Sequence, residues 1–479
     1  MGFSNQKTLS PIDQITQVAD PMGGTTQINY RADRNLGSVV NALGNTVESY
    51  DYDLAGRLTK KTDAQGKAST FAYNAAGQLT SATDRKGQMS TLVYDAGGRV
   101  TQGNLPGGVT ICFTYDAVGR LIALEEKGGA SPSRFEYVYD NRNLLTQETI
   151  LQQGGSHVIT YQYDALGRRI TRNLDNFDTT AYVYDKAGRV TSIKFNGEVP
   201  VTYEWDNASR LSVKTLSNGV RMEYQYDAAS RLLGITYRKP DNTVINSIAY
   251  SYDAKGQRTS KTTTLPSRDE TPFTATYDAA DRMLTFSLTS SGETFNLAYD
   301  DNGNLVSKTS QTTGQATTYT WNSRNWLTAI TEPGLTASFA YDALGRRIEK
   351  NVNGQSVGFL YDGGKVIAEL AGNTVNVKLL SGIAVDEMLA RYTAAGARHY
   401  LTDALGSVVA MLKDDASVQN YYAYSPYGET TPSANDDGNS SEYTGRENDL
   451  TGVYYYRARY FDPVLKRFIS ADPIGLGGG

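Results

Sequence analysis

The octapeptide Tyr-Asp-Ala-Leu-Gly-Arg-Arg-Ile stands at residues 163–170 and again, unchanged, at 341–348. Looser copies fill the chain around and between them. Tyr52, Tyr73, Tyr94 and Tyr115 open such units at steps of 21 residues, and Tyr139 and Tyr163 follow at steps of 24. Tyr184, Trp205, Tyr226, Tyr252, Tyr277, Tyr299, Trp321, Tyr341 and Tyr361 carry the series on, and Tyr30 opens it in degraded form. A self-similar period of this length marks stacked repeats, each too small to bury a core alone. Two residues before the marker there is commonly a second large apolar residue, as in Phe71, Phe113, Tyr137, Tyr161, Tyr182 and Phe339. That spacing puts both side chains on one face of a strand. Asp or Asn then halts the strand, and Gly follows three residues later. The pair suits a turn, because Asp caps it through its side chain and Gly accepts positive φ. Arg or Gln comes next (Arg57, Gln78, Arg99, Arg120), free to stack on a ring or pair with the turn Asp. Asn-Gly pairs at 196–197, 218–219 and 353–354 mark further hairpins. Each unit is thus read as two antiparallel strands, and the Tyr-Asp pair as architecture rather than a row of active sites.

Counting Tyr30, sixteen markers predict a strip roughly 150 Å long at about 4.8 Å per strand. Such a strip cannot stay flat; closed as one ring it would be about 50 Å across, so a coiled, hollow shell is expected. Longer connections at 131–133, 152–155 and 265–269 read as insertions on an outer edge. The array runs over residues 1–371, and residues 372–479 form a second domain. Within the latter, 401–412 is apolar around Gly406 without choosing helix or strand, 428–442 reads as a mobile loop, and an aromatic block follows from Tyr443.

Composition narrows the function. With 46 basic against 51 acidic residues and no basic stripe, a nucleic-acid scaffold is not expected. Cys112 is the sole cysteine, so no intrachain disulfide exists and a buried thiol is the default. His157 and His399 are isolated; no metal and no cofactor are expected. No apolar run reaches the length of a membrane span, and the start lacks the order of a signal peptide.

Together, the Tyr-Asp repeats and the closing block resemble the Rhs (rearrangement hotspot), or YD-repeat, family. The block runs from Tyr455-Tyr456-Arg457-Ala458-Arg459-Tyr460-Phe461-Asp462-Pro463 to Asp472-Pro473-Ile474-Gly475-Leu476. Teneurins, wall-associated bacterial toxins and components of insecticidal toxin complexes share the repeats. The resemblance implies an all-β fold: a β-hairpin strip coiled into a cocoon around a C-terminal toxin and closed by an Rhs core domain. It implies a single-turnover, aspartic-type autoprotease acting in cis, with no external substrate, that cuts between Leu476 and Gly477. Matching the motif residue by residue gives Asp449 and Asp472 as the catalytic pair, with Asp462 as the substitute for Asp449. Arg446, Arg457 and Arg459 are placed to orient carboxylates, or equally to pack on Tyr454, Tyr455 and Tyr456. The implied partners are the chain's own toxin, an N-terminal targeting module and secretion machinery. The protein is then cytoplasmic at synthesis and exported afterwards, through type VI secretion. Neither module is recognised here, and the stretch reads as a shell without its cargo. The competing reading is a cell-surface adhesin or carbohydrate-binding scaffold without catalysis.

Overall fold

The computed structural model describes residues 6–20, 23–176, 178–431 and 438–473. Two long antiparallel meanders account for most of it, one of 24 strands and one of 15, each strand pairing with the next in sequence. A two-stranded ribbon and a four-stranded sheet follow near the C-terminus. Among the described residues no helix is long and apolar enough to cross a membrane.

One turn, repeated, builds the meander. At 53–57 the Gly56 N–H donates to the Asp53 carbonyl and the Asp53 N–H to the Arg57 carbonyl, both at 3.0 Å. Asp53 Oδ1 accepts the N–H groups of Ala55 and Arg57, and Arg57 Nε donates to Asp53 Oδ2 at 2.7 Å. Gly56 has φ 75°, which a β-carbon would penalise. The marker aromatic then ties one unit to the one before. Tyr73 Oη donates to the Leu58 carbonyl at 2.8 Å, and the arginine of the earlier unit, Arg57, lies 4.8 Å from the Tyr73 ring centroid. The same pair of bonds recurs at Tyr115 with Arg99 and at Tyr226 with Arg210. The arginine therefore does both jobs expected of it: it pairs with its own turn Asp and stacks on the next marker.

The first meander ends at Arg258–Thr263 and the second begins at Phe273–Tyr277, so the insertion at 265–269 falls where the ladder breaks. The second meander lies along the first in the same direction. Asn41 reaches Asp281, 240 residues on; Glu126 takes the Arg324 guanidinium, 198 on; Lys214 meets Glu387, 173 on; Lys261 meets Asp403, 142 on. Because these separations shrink, the strip is a tapering coil, in line with the coiled shell expected, and each turn is narrower than the about 50 Å of a single closed ring. At about 4.8 Å per strand one turn narrows from about 30 Å across to about 20 Å.

Burial follows the coil. Among the described residues before Ala123, Val39 is the one buried apolar side chain. Cys112, expected to be buried, is accordingly only half-buried. From Tyr182 to Tyr250 the inner face packs on Leu380, Leu389, Leu401 and Val409 of the second meander. The strands from Met283 to Tyr341 pack instead on Val453, Tyr455, Tyr460, Leu465 and Ile469. The apolar stretch 401–412 resolves into two strands, Gly396–Thr402 and Val408–Leu412, joined by the same turn geometry at Asp403 and Gly406. Pairing does not stop at residue 371: Ala371 faces Thr374, and the ladder continues to Val418–Tyr421. Of the expected loop at 428–442, residues 432–437 lie outside the described residues.

Candidate functional site

The four-stranded sheet consists of Glu447–Asn448, Tyr454–Tyr456, Arg459–Asp462 and Arg467–Phe468. Its aromatic side chains explain the docking. Tyr455 and Tyr460 are buried, with ring centroids 5.2 Å apart, and Tyr460 Oη shares a 2.8 Å hydrogen bond with Tyr341 Oη of the second meander. The Arg347 N–H donates to Tyr455 Oη at 3.0 Å.

The three candidate acids have three different sets of partners. Asp449 follows the first short strand and is 5 % exposed. Its Oδ2 takes a hydrogen bond from Arg347 Nη1, and its Oδ1 one from Lys350 Nζ at 2.7 Å. Burial alone would raise its pKa; the two cations overcome this and hold it down at about 2. Asp449 is thus an ionised carboxylate under the wall. Asp472 accepts from Arg459 Nη2 at 2.9 Å, and Arg459 lies 3.7 Å from the Phe468 ring centroid. Asp462 serves a turn: its Oδ1 accepts the N–H groups of Val464 and Leu465, both at 2.9 Å. Burial pushes its carboxyl up from the ordinary value. Leu476 and Gly477, the expected cleavage site, lie outside the described residues.

Arg446 turns away from these acids. With Arg457 it grips Asp386, each guanidinium at 2.6 Å, and it covers the Tyr456 ring at 5.2 Å. The cations that hold Asp449 come from the wall strand Arg347–Val352 instead. Sequence reasoning missed both. The available signal was the doubled arginine of the repeated octapeptide, whose second member has no place in the turn. It also passed over Glu447, whose carboxyl is pushed up by desolvation, opposed by Arg347 and reinforced by Asp449. Two acids two residues apart are therefore driven in opposite directions, the pattern that separates a proton donor from a base. Arg347 is wholly buried, its guanidinium 4.3 Å from the Tyr455 centroid, 5.3 Å from Phe339 and 5.4 Å from Phe359. Its Nε and Nη2 make no well-formed hydrogen bond among the described residues. Beside this group a cavity of about 50 Å³ is lined by Glu447, Arg446, Asp386, Lys365 and Tyr455 among others. The two histidines lie elsewhere, His157 Nδ1 on Asp175 at 2.7 Å and His399 Nε2 on Asp414 at 2.9 Å.

Known proteins share this plan. In sequence, the chain is 32 % identical over 244 residues to the tRNA3(Ser)-specific nuclease WapA of Bacillus spizizenii, covering 49 % of this chain and 10 % of that protein. It is 26 % identical over 220 residues to double-stranded DNA deaminase toxin A of Burkholderia cenocepacia, covering 38 % and 15 %. The crystal structure of TcdB2-TccC3-Cdc42 superposes with a TM-score of 0.62 at 16 % identity, over 98 % of this chain and 33 % of that one. The chain thus spans a small part of each relative's length. The teneurin YD-shell family profile matches residues 19–193 and 214–475, the coil and the terminal sheet alike. This chain is a YD-repeat shell protein of the Rhs type and belongs to the teneurin YD-shell family.

Proposed function

We propose that the chain is the wall and closing end of a toxin shell, which encloses a C-terminal effector and frees it by cutting itself after Leu476. The observation that carries this reading is Asp449: an ionised carboxylate buried where the terminal sheet meets the coil. Relatives named as a nuclease, a deaminase toxin and toxin subunits support a toxic cargo. The division at residue 371 is then one of role, wall before it and closure after it, within a ladder that spans both.

The cleavage proposed is a single hydrolysis. Asp449 takes a proton from water, and the water oxygen bonds to the Leu476 carbonyl carbon. Asp472, four residues before the bond, first protonates the amide oxygen and holds the segment in place. Asp449 then passes the proton it took from water to the amide nitrogen, the C–N bond breaks so that Gly477 leaves as a neutral amine, and the tetrahedral hydroxyl returns its proton to Asp472 as the Leu476 carboxyl group forms. Export, through a type VI system or another route, is the remaining step of the same proposal. The adhesin alternative requires open aromatic grooves, whereas Tyr161, Tyr182, Tyr203 and Tyr250 are buried between layers.

The test extends the chain beyond Gly479 with a folded reporter. Intact-mass analysis is expected to show a break after Leu476, lost in Asp449→Asn and in Asp472→Asn. An uncut chain, or one cut at another bond, removes the proposal; a cut that survives Asp472→Asn removes the catalytic pair.

A further inference from the structure

Asp449 draws its charge partners from outside its own domain. The arginines of the closing block are engaged elsewhere: Arg446 and Arg457 on Asp386, Arg459 on Asp472, and Arg467 on the Asp281 carbonyl. The cations on Asp449 lie 102 and 99 residues upstream, on one strand of the second meander. We propose that the wall licenses the cut. Arg347 and Lys350 are positioning residues that fix Asp449 in its ionised, oriented form, so the bond after Leu476 is hydrolysed only once strand Arg347–Val352 has closed on the terminal sheet. The inference rests on the self-cleavage reading above and adds its control.

Three features of the seam support it. A buried carboxylate without a counter-charge neutralises itself instead of staying ionised, so an unclosed shell would leave Asp449 protonated or solvated and loose. The contact is also specific in register. The Arg347 guanidinium lies against Tyr455 while its backbone N–H donates to the Tyr455 hydroxyl, and Tyr341 meets Tyr460 one turn earlier. A slip of one residue would turn the whole strand to its other face. Finally, the cations outnumber what Asp449 alone requires. Arg347 and Lys350 face it from the wall, Glu447 from the short strand just before it and Tyr460 from the neighbouring hairpin. Removing one cation therefore weakens the site without emptying it.

A shell that cuts only when closed keeps its cargo attached until the cargo is enclosed. This is a coupling between two places in the fold, and it has a signature that mere destabilisation lacks. The chain with its reporter is produced uncut in denaturant and refolded into buffers from about pH 1 to about pH 8, a range that includes the limb set by Asp449, and the rate of reporter release is followed. Lys350→Met is expected to move the acid limb of the rate profile upward by about one pH unit, roughly tenfold in rate on that limb. Lys350→Arg is expected to restore it. Lys261→Gln, which removes a 2.6 Å ion pair with Asp403 elsewhere in the coil, is expected to leave the limb in place. A folded Lys350→Met chain with an unshifted limb overturns the proposal while self-cleavage stands. A native chain that never cuts overturns both.

Discussion

The two copies of the octapeptide are a controlled comparison supplied by the chain itself. Locally they are the same object. Arg168 and Arg346 each donate from Nε to their turn Asp at 2.7 Å. Tyr163 and Tyr341 donate to the carbonyls of Leu145 and Leu327 at 2.7 and 2.6 Å. Their surroundings are not the same. In the first copy no residue is buried; in the second Tyr341, Asp342, Arg347 and Ile348 all are. The second arginine shows the consequence. Arg169 pairs with Asp362 at side-chain exposures of 30 % and 11 %, and Arg347 pairs with Asp449 at 1 % each. Eight residues dictate a turn and a hydrogen-bond pattern, while the neighbouring turn of the coil and the terminal sheet decide what those residues are worth.

The comparison breaks most visibly at those arginines. Arg347→Met leaves Asp449 buried with Lys350 as its one remaining cation, a change expected to cost about 3–5 kcal/mol. Arg169→Met breaks a pair that water partly screens and should cost about 1 kcal/mol. Urea unfolding of the two variants should show that gap. Equal losses would mean that local sequence, and not the terminal sheet, sets the value of the site.

Acid sharpens the same contrast. The native-state pKa of Asp449 lies below its unfolded value, so its contribution is complete above the ordinary carboxylate range and is lost as pH falls through about 2. Between about pH 4 and pH 2 this single group should account for about 2 kcal/mol of lost stability. Asp449→Asn should flatten that part of the stability profile, although it lowers stability at neutral pH. An unchanged slope would show that the two cations do not hold the carboxylate as their distances imply.

Much of this was legible in the chain. The period of the marker aromatics and the Asp-x-x-Gly-Arg turn prescribe hairpins, because each turn is satisfied within five residues. The coil was legible only as a necessity, since a long twisted strip must curl. Its pitch and taper come from contacts 142 to 240 residues apart that no local motif encodes. The turn at Asp403 and Gly406 was hidden because the residue before Asp403 is Thr402, not an aromatic. The acids of the closing block could be named by resemblance, but their partners could not. Arg347 and Arg169 stand at the same place in the same octapeptide and differ in what a distant segment lays over them.

The smallest difference between the copies tests how far that overlay reaches. Gly167 and Gly345 occupy the same place in the turn, at φ 77° and 80°. Alanine at either must hold a left-handed conformation, which costs about 1 kcal/mol. At Gly167 the added methyl would meet Leu144 Cδ1 at 3.7 Å, an ordinary contact. At Gly345 it would come within 2.8 Å of Trp326 Cζ2, on a ring whose centroid lies 5.3 Å from that of Tyr341 and 3.9 Å from the Arg324 guanidinium. Trp326 would have to shift, disturbing Arg324, which binds Glu126 on the adjacent turn of the coil. Gly345→Ala should therefore exceed Gly167→Ala by about 1 kcal/mol or more, within the usual cost of overpacking. Its companion Glu126→Gln should recover part of the difference, because a coil already loosened there has less to lose. Thermal unfolding of the three single variants and the double variant checks this. Equal costs for the two glycines would show that Trp326 moves freely, and that adjacent turns of the wall are held by their ion pairs rather than by packed rings.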